Sequence, residues 1–116
     1  MPSSKQQEDE KAVLDAIAAM PEPDKKIGDK LHEIIMENAP DLIPRTWYGM
    51  PAYSNGAKVV LFFRSKQKFG ERYMTLGFND SAKLDDGNMW PITYAISELT
   101  PTEEAKVAAI VKKAMS

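Results

Sequence analysis

Apolar residues near the start of the chain recur at helical spacing. Val13, Leu14, Ile17 and Met20 are separated by the steps that gather side chains on one face of an α-helix, and they predict a helix over residues 7–20. Glu8, Asp9 and Glu10 stand near its start, where negative charge suits the helix dipole. Pro21 and Pro23 interrupt the periodicity. Asp24 is a candidate N-cap for a second helix that runs to Asn38, ahead of Pro40. Its apolar stripe is Ile27, Leu31, Ile34 and Ile35. Two helices, each greasy on one side, need a further layer to cover them.

After Arg45 the period changes to short runs rich in β-branched and aromatic residues, so that layer is read as a sheet. Residues 46–53 and 58–64 are expected to be paired antiparallel strands. They are joined at Asn55-Gly56, a pair suited to a type I′ turn with positive φ at both positions. Pro51 has no N–H to donate, so within a sheet it belongs on an edge strand or in a bulge. Gly49 lets the chain bend just before it. The first strand is therefore expected at a sheet edge, bent at Gly49-Met50-Pro51. The segment "KVVLFF" is apolar at successive positions, as in a central strand whose second face is at least partly covered. Residues 73–78, "YMTLGF", form a third strand, and Asp85-Asp86-Gly87 marks a turn. Residues 89–96 form a fourth, with Trp90, Ile92, Tyr94 and Ile96 on one face. Thr100 as N-cap, Pro101 at the first helical position and Glu103 in a capping box open the last helix. That helix is expected to bury Val107, Ile110, Val111 and Ala114. The resulting fold class is α+β: an antiparallel sheet of about four strands, with two N-terminal helices and one C-terminal helix packed on it. Residues 7–116 make a single domain behind a disordered tail, residues 1–6.

Composition narrows the chemistry. The 116 residues are 43% hydrophobic and 28% charged with a net charge of −2, which lacks the basic footprint of a nucleic-acid binder. The chain has no cysteine, which removes disulfides, thiolate catalysis and thiolate metal sites together. No apolar run approaches a membrane span and no signal-peptide core is visible, so a cytoplasmic protein without membrane contact is expected. His32 is the only histidine. No G-x-S-x-G elbow, H-E-x-x-H pair, P-loop or dinucleotide fingerprint is present, and the chain is read as not an enzyme.

"YGMPAY" at residues 48–53, "NGAKVVLFF" at residues 55–63, "LGF" at residues 76–78 and a terminal amphipathic helix together resemble the YdhG-like family. These are small bacterial α+β domains of unknown function, some of them described as frataxin-like intracellular iron chaperones. The resemblance extends from about Val13 to Met115, and "LDDGNMWPI" at residues 84–92 is a variant of the pattern. It implies a frataxin-like sandwich, weakly bound iron with no required cofactor, and iron-accepting client proteins as partners.

Two sets of residues could carry a function. On the second helix Asp29, Glu33 and Glu37 fall at i, i+4 and i+8, with His32 and Met36 beside them. They form one solvent stripe opposite Leu31, Ile34 and Ile35. Carboxylate oxygens with an imidazole nitrogen suit ferrous or ferric iron, and a shallow ridge would release it readily. Asp29, His32, Glu33 and Glu37 are therefore the candidate metal ligands; an ordinary solvated helix face, tempered by Lys25, Lys26 and Lys30, is the plain alternative. The second set is aromatic. Trp47, Tyr48, Tyr53 and Trp90 are candidate ligand-binding residues if they share the sheet face away from the helices. Packing in the core or a weak homodimer interface are the other uses of such rings. "RSKQKFGER", residues 64–72, reads as a solvated hairpin loop that could also contact an anion or a partner.

Overall fold

A computed structural model describes residues 4–67 and 70–116. Two helices, α1 (Ser4–Ala18) and α2 (Asp24–Asn38), precede β1 (Ile43–Trp47), β2 (Met50–Ser54), β3 (Val59–Arg64), β4 (Met74–Phe78) and β5 (Thr93–Ile96), and α3 (Pro101–Ala114) follows. The strands lie side by side in chain order, every neighbour antiparallel. The α+β class stands, with five strands rather than four. Of the tail expected over residues 1–6, Ser4, Lys5 and Gln6 form the start of α1, and residues 1–3 lie outside the described residues. Among the described residues, no helix is long and apolar enough to cross a membrane.

The additional strand comes from residues 46–53, expected as one bent strand. They instead contribute to a tight hairpin. Trp47 stands opposite Met50 and Thr46 opposite Pro51, leaving Tyr48-Gly49 as a two-residue loop. Both loop residues have positive φ, 52° and 75°, as a type I′ turn requires. Asn55-Gly56 does join β2 to β3, but by other means. Gly56 has φ 98°, while Tyr48 is the one non-glycine with positive φ among the described residues, so Asn55 does not share it. The Asn55 side-chain oxygen instead accepts the N–H groups of Ala57 and Lys58, each at 2.9 Å, in an Asx-type turn. The longer connection goes with a register shift in the β2–β3 ladder between Tyr53 and Ser54.

Pro51 is not on an edge: β2 is the second strand of the sheet, and β1 is the edge. The missing donor is accommodated differently. Thr46 stands opposite Pro51 on one side, whereas the ladder to β3 begins only at Ala52 opposite Phe62. Pro51 is thus paired on one side alone, where no second donor is required. A proline also shortens β5. The expected strand over residues 89–96 is regular only from Thr93, after Pro91. The Ile92 carbonyl still accepts the Phe78 N–H at 2.7 Å, but Met89 and Ile92 are exposed rather than seated on the sheet.

Side-chain alternation divides the sheet into two unlike faces. Tyr53, Leu61 and Phe78 stand in one row, and Phe63 and Leu76 in the next; all five are buried. They join Val13 and Ile17 of α1, Leu31, Ile34 and Ile35 of α2, and Val107 and Val111 of α3 in one core. Leu14, expected in the α1 stripe, is 44% exposed, and Ile110 of α3 is only partly buried against the core. The other face carries Arg45, Ala52, Phe62, Gly77 and Thr93 in one cross-strand row, none of them in the core cluster. It is the open face of the sheet.

The starts of the last two helices are built differently. The Thr100–Glu103 capping box and Pro101 open α3 as the sequence indicates, with the Thr100 N–H donating to the Glu103 carboxylate at 2.9 Å. Asp24 is not the cap of α2. Pro23 occupies that position and Asp24 is the first helical residue. Its buried carboxylate accepts the Ser65 hydroxyl and the Lys66 N–H, both at 3.0 Å. A group read as serving its own helix therefore ties α2 to the segment leaving β3.

Candidate functional site

The expected metal ligands do not converge. Lys25 donates to Asp29 at 3.3 Å and Lys30 to Glu33 at 3.5 Å. Lys30 also reaches Glu104 of α3 at 3.6 Å. Glu104 and then Glu33 push the Lys30 pKa above its ordinary value, so the ammonium stays charged among these carboxylates. Asp29 and Glu33, with Lys26, Lys30, Glu98 and Glu104, line a cavity of about 700 Å³ between α2 and the start of α3; Glu37 is exposed farther along the helix. His32 is half-buried and turns inward, its Nδ1 2.7 Å from the Tyr53 hydroxyl. Among the described residues, no three His, Cys, Asp or Glu side chains are grouped to hold a metal ion.

The four candidate aromatic residues are also separated. Tyr53 is fully buried on the helix side of the sheet, against His32 and Phe63. Trp90 is partly buried against the core and lines a surface cavity with Asn79, Asp80 and Met89. Trp47 and Tyr48 remain together, their ring centroids 5.0 Å apart in an edge contact. Trp47 also meets Phe62, at 5.4 Å. The three rings form a continuous cluster at the Tyr48-Gly49 end of the open face. Gly77 completes its floor: a Cβ there would come within 2.4 Å of the Phe62 ring, so the ring lies directly on the β4 backbone opposite it. The glycine is visible in the sequence, but its purpose depends on a cross-strand neighbour.

The same hairpin borders a cleft of about 440 Å³. The end of α1 supplies Ala16, and the segment after it supplies Ala19, Met20 and Pro21. The hairpin supplies Gly49, Met50 and Pro51, and the end of β3 supplies Arg64, Ser65 and Gln67. Arg64 is held by both carboxylate oxygens of Glu71, through Nε at 2.7 Å and Nη2 at 2.9 Å. The Ser65 hydroxyl donates to Asp24, and its oxygen accepts the Gln67 N–H at 3.3 Å. Within "RSKQKFGER", Arg64 and Glu71 thus neutralise one another, Arg72 lies over the Tyr73 ring at 5.8 Å, and Lys68 and Phe69 lie outside the described residues. Sequence reasoning reached Gly49, Met50 and Pro51 but not Met20, Pro21 or Arg64 as their neighbours. No local signal joins segments so far apart in the chain. Comparison of the chain with family models, with curated proteins and with solved structures finds no match.

Proposed function

We propose that this chain is a small cytoplasmic, non-enzymatic binding module that takes a small molecule against the aromatic cluster of its open sheet face. The observation that carries this reading is Tyr48. It is held at φ 52°, a conformation that costs a residue with a Cβ roughly 1–2 kcal/mol. Asn or Gly would occupy the turn more comfortably. Core packing does not explain the choice, because Tyr48 is 81% exposed. A bulky ring kept in solvent at a conformational cost is the kind of strain found where a side chain serves a ligand. Through Trp47 it continues to Phe62, and such a row of rings offers stacking and edge contacts to a planar or apolar group.

The iron-carrier reading implied by the family resemblance has no comparable observation behind it. Two of its carboxylates are engaged by lysines and its imidazole faces Tyr53.

The test is a fragment screen of aromatic small molecules followed by side-chain magnetic resonance, with Tyr48→Asn as the variant. Ligands are expected to shift the Trp47, Tyr48 and Phe62 ring signals. Tyr48→Asn should weaken binding while leaving the denaturation midpoint equal or higher. A screen that moves none of these rings overturns the proposal. Undiminished binding by Tyr48→Asn removes Tyr48 from it.

A further inference from the structure

We infer that the cleft beside Gly49 is the specificity subsite of this module and that it takes an uncharged, ring-bearing small molecule. The inference rests on the binding reading above and names the ligand class.

Size gives the first limit. A volume of about 440 Å³ falls within the usual range for small-molecule sites, roughly 300–1,000 Å³.

Charge gives the second. Arg64 is the one charged residue lining the cleft among the described residues, and Glu71 binds it in a two-point pair. The buried carboxylate behind the wall, Asp24, is engaged by Ser65 and Lys66. The wall therefore presents neither an uncompensated positive nor an uncompensated negative charge. An ion entering would shed water without gaining a counter-charge, which is costly.

Chemistry of the lining gives the third. Met20 and Met50 line one small space with Pro21 and Pro51. Thioether sulfur is polarizable and makes favourable contacts with aromatic rings.

Position gives the fourth. Met50 stands opposite Trp47 across the hairpin, and Gly49 follows Tyr48 in the turn. The cleft and the aromatic cluster thus share the Tyr48-Gly49 hairpin.

Three probes with one ring system and three charges test this: indole, indole-3-acetate and tryptamine. Binding is followed by the methyl signals of Met20, Met50, Ala16 and Ala19, and separately by the ring signals of Trp47 and Tyr48. Indole should shift both sets. The anion and the cation should bind about tenfold more weakly or worse, the consequence of burying an unpaired charge. Ala19→Leu adds bulk at an exposed position on the cleft wall, and it should weaken indole by about tenfold, a loss of about 1.4 kcal/mol. Its amide spectrum establishes that it is folded, and the charge series in the wild-type chain stands without it. Equal binding of a charged analogue through the same methyls overturns the uncharged class. Shifts of Trp47 and Tyr48 with still Met20 and Met50 methyls overturn the cleft while leaving the binding module in place. No shift in either set for all three probes overturns both.

Discussion

Burial makes charge expensive at the His32–Tyr53 contact. The Tyr53 hydroxyl, fully buried, has its pKa pushed up by desolvation, with the Glu10 charge adding to the effect, so it stays protonated. In the neutral Nε2–H tautomer of His32 it donates to Nδ1. Burial also lowers the His32 pKa from 6.5, partly offset by Glu10 of α1 and Asp29 of its own helix. The unfolded chain therefore binds this proton more readily than the folded one. The contribution to stability is complete above the unfolded value and is lost as pH falls through the folded one. Denaturation midpoints should drop on going from about pH 7.5 to about pH 5, and His32→Gln should show a shallower drop. Identical profiles for the two proteins would count against a pH-linked role for the ring. Gly56 presents a purely backbone case. A Cβ there would meet nothing within 4 Å, yet φ is 98°. Gly56→Val should cost about 1 kcal/mol or more through strain alone, read as a lower denaturant midpoint with unchanged slope.

Connections between elements depend on a few polar groups with large leverage. The Asp24 carboxylate joins the first turn of α2 to Ser65 and Lys66 at the exit of β3, and those two residues begin the loop bordering the cleft. Hydrogen bonds to a buried charged group contribute about 1.5–3 kcal/mol each, and stranded donors add their own cost. Asp24→Ala should therefore destabilise the domain by about 3 kcal/mol, with Asp24→Asn losing less because it keeps an acceptor. Chemical denaturation of the two variants checks the order. The α3 start is a contrasting case, since its cap, proline and acidic partner lie within four consecutive residues and were legible in the sequence. Asp24 looked like another local cap because Asp before an apolar stripe usually is one. Its partners lie 41 and 42 positions away, beyond any local pattern.

Between α2 and α3, charges among the described residues form ion pairs. Asp29 and Glu33 of α2 pair with lysines of the same helix, and Lys30 also reaches Glu104 of α3. Exposed ion pairs contribute only about 0–1 kcal/mol. Replacing Asp29, Glu33 and Glu37 together with Asn, Gln and Gln should therefore change stability by at most about 1 kcal/mol. Anaerobic calorimetry with ferrous iron should give the same weak response for this triple variant as for the wild-type chain. Loss of a measurable wild-type affinity in the variant would reinstate the helix face as a metal site.

Periodicity and capping made the α2 stripe, the α3 start and the central place of "KVVLFF" readable in advance, because each depends on neighbours within one or two turns or along one strand. The two-residue hairpin was hidden because Tyr48-Gly49 lacks the usual Asn-Gly or Asp-Gly signal, while Asn55-Gly56 possesses that signal and turns by an Asx contact instead. The cross-strand register placed Trp47 with Phe62 and sent Tyr53 to the opposite face. Folding then brought residues 16–21, 49–51 and 64–67 around one cleft. Local sequence carries the preference of each segment, but a binding surface is made of side chains from separate segments, and their meeting is set by strand register and by where each element ends.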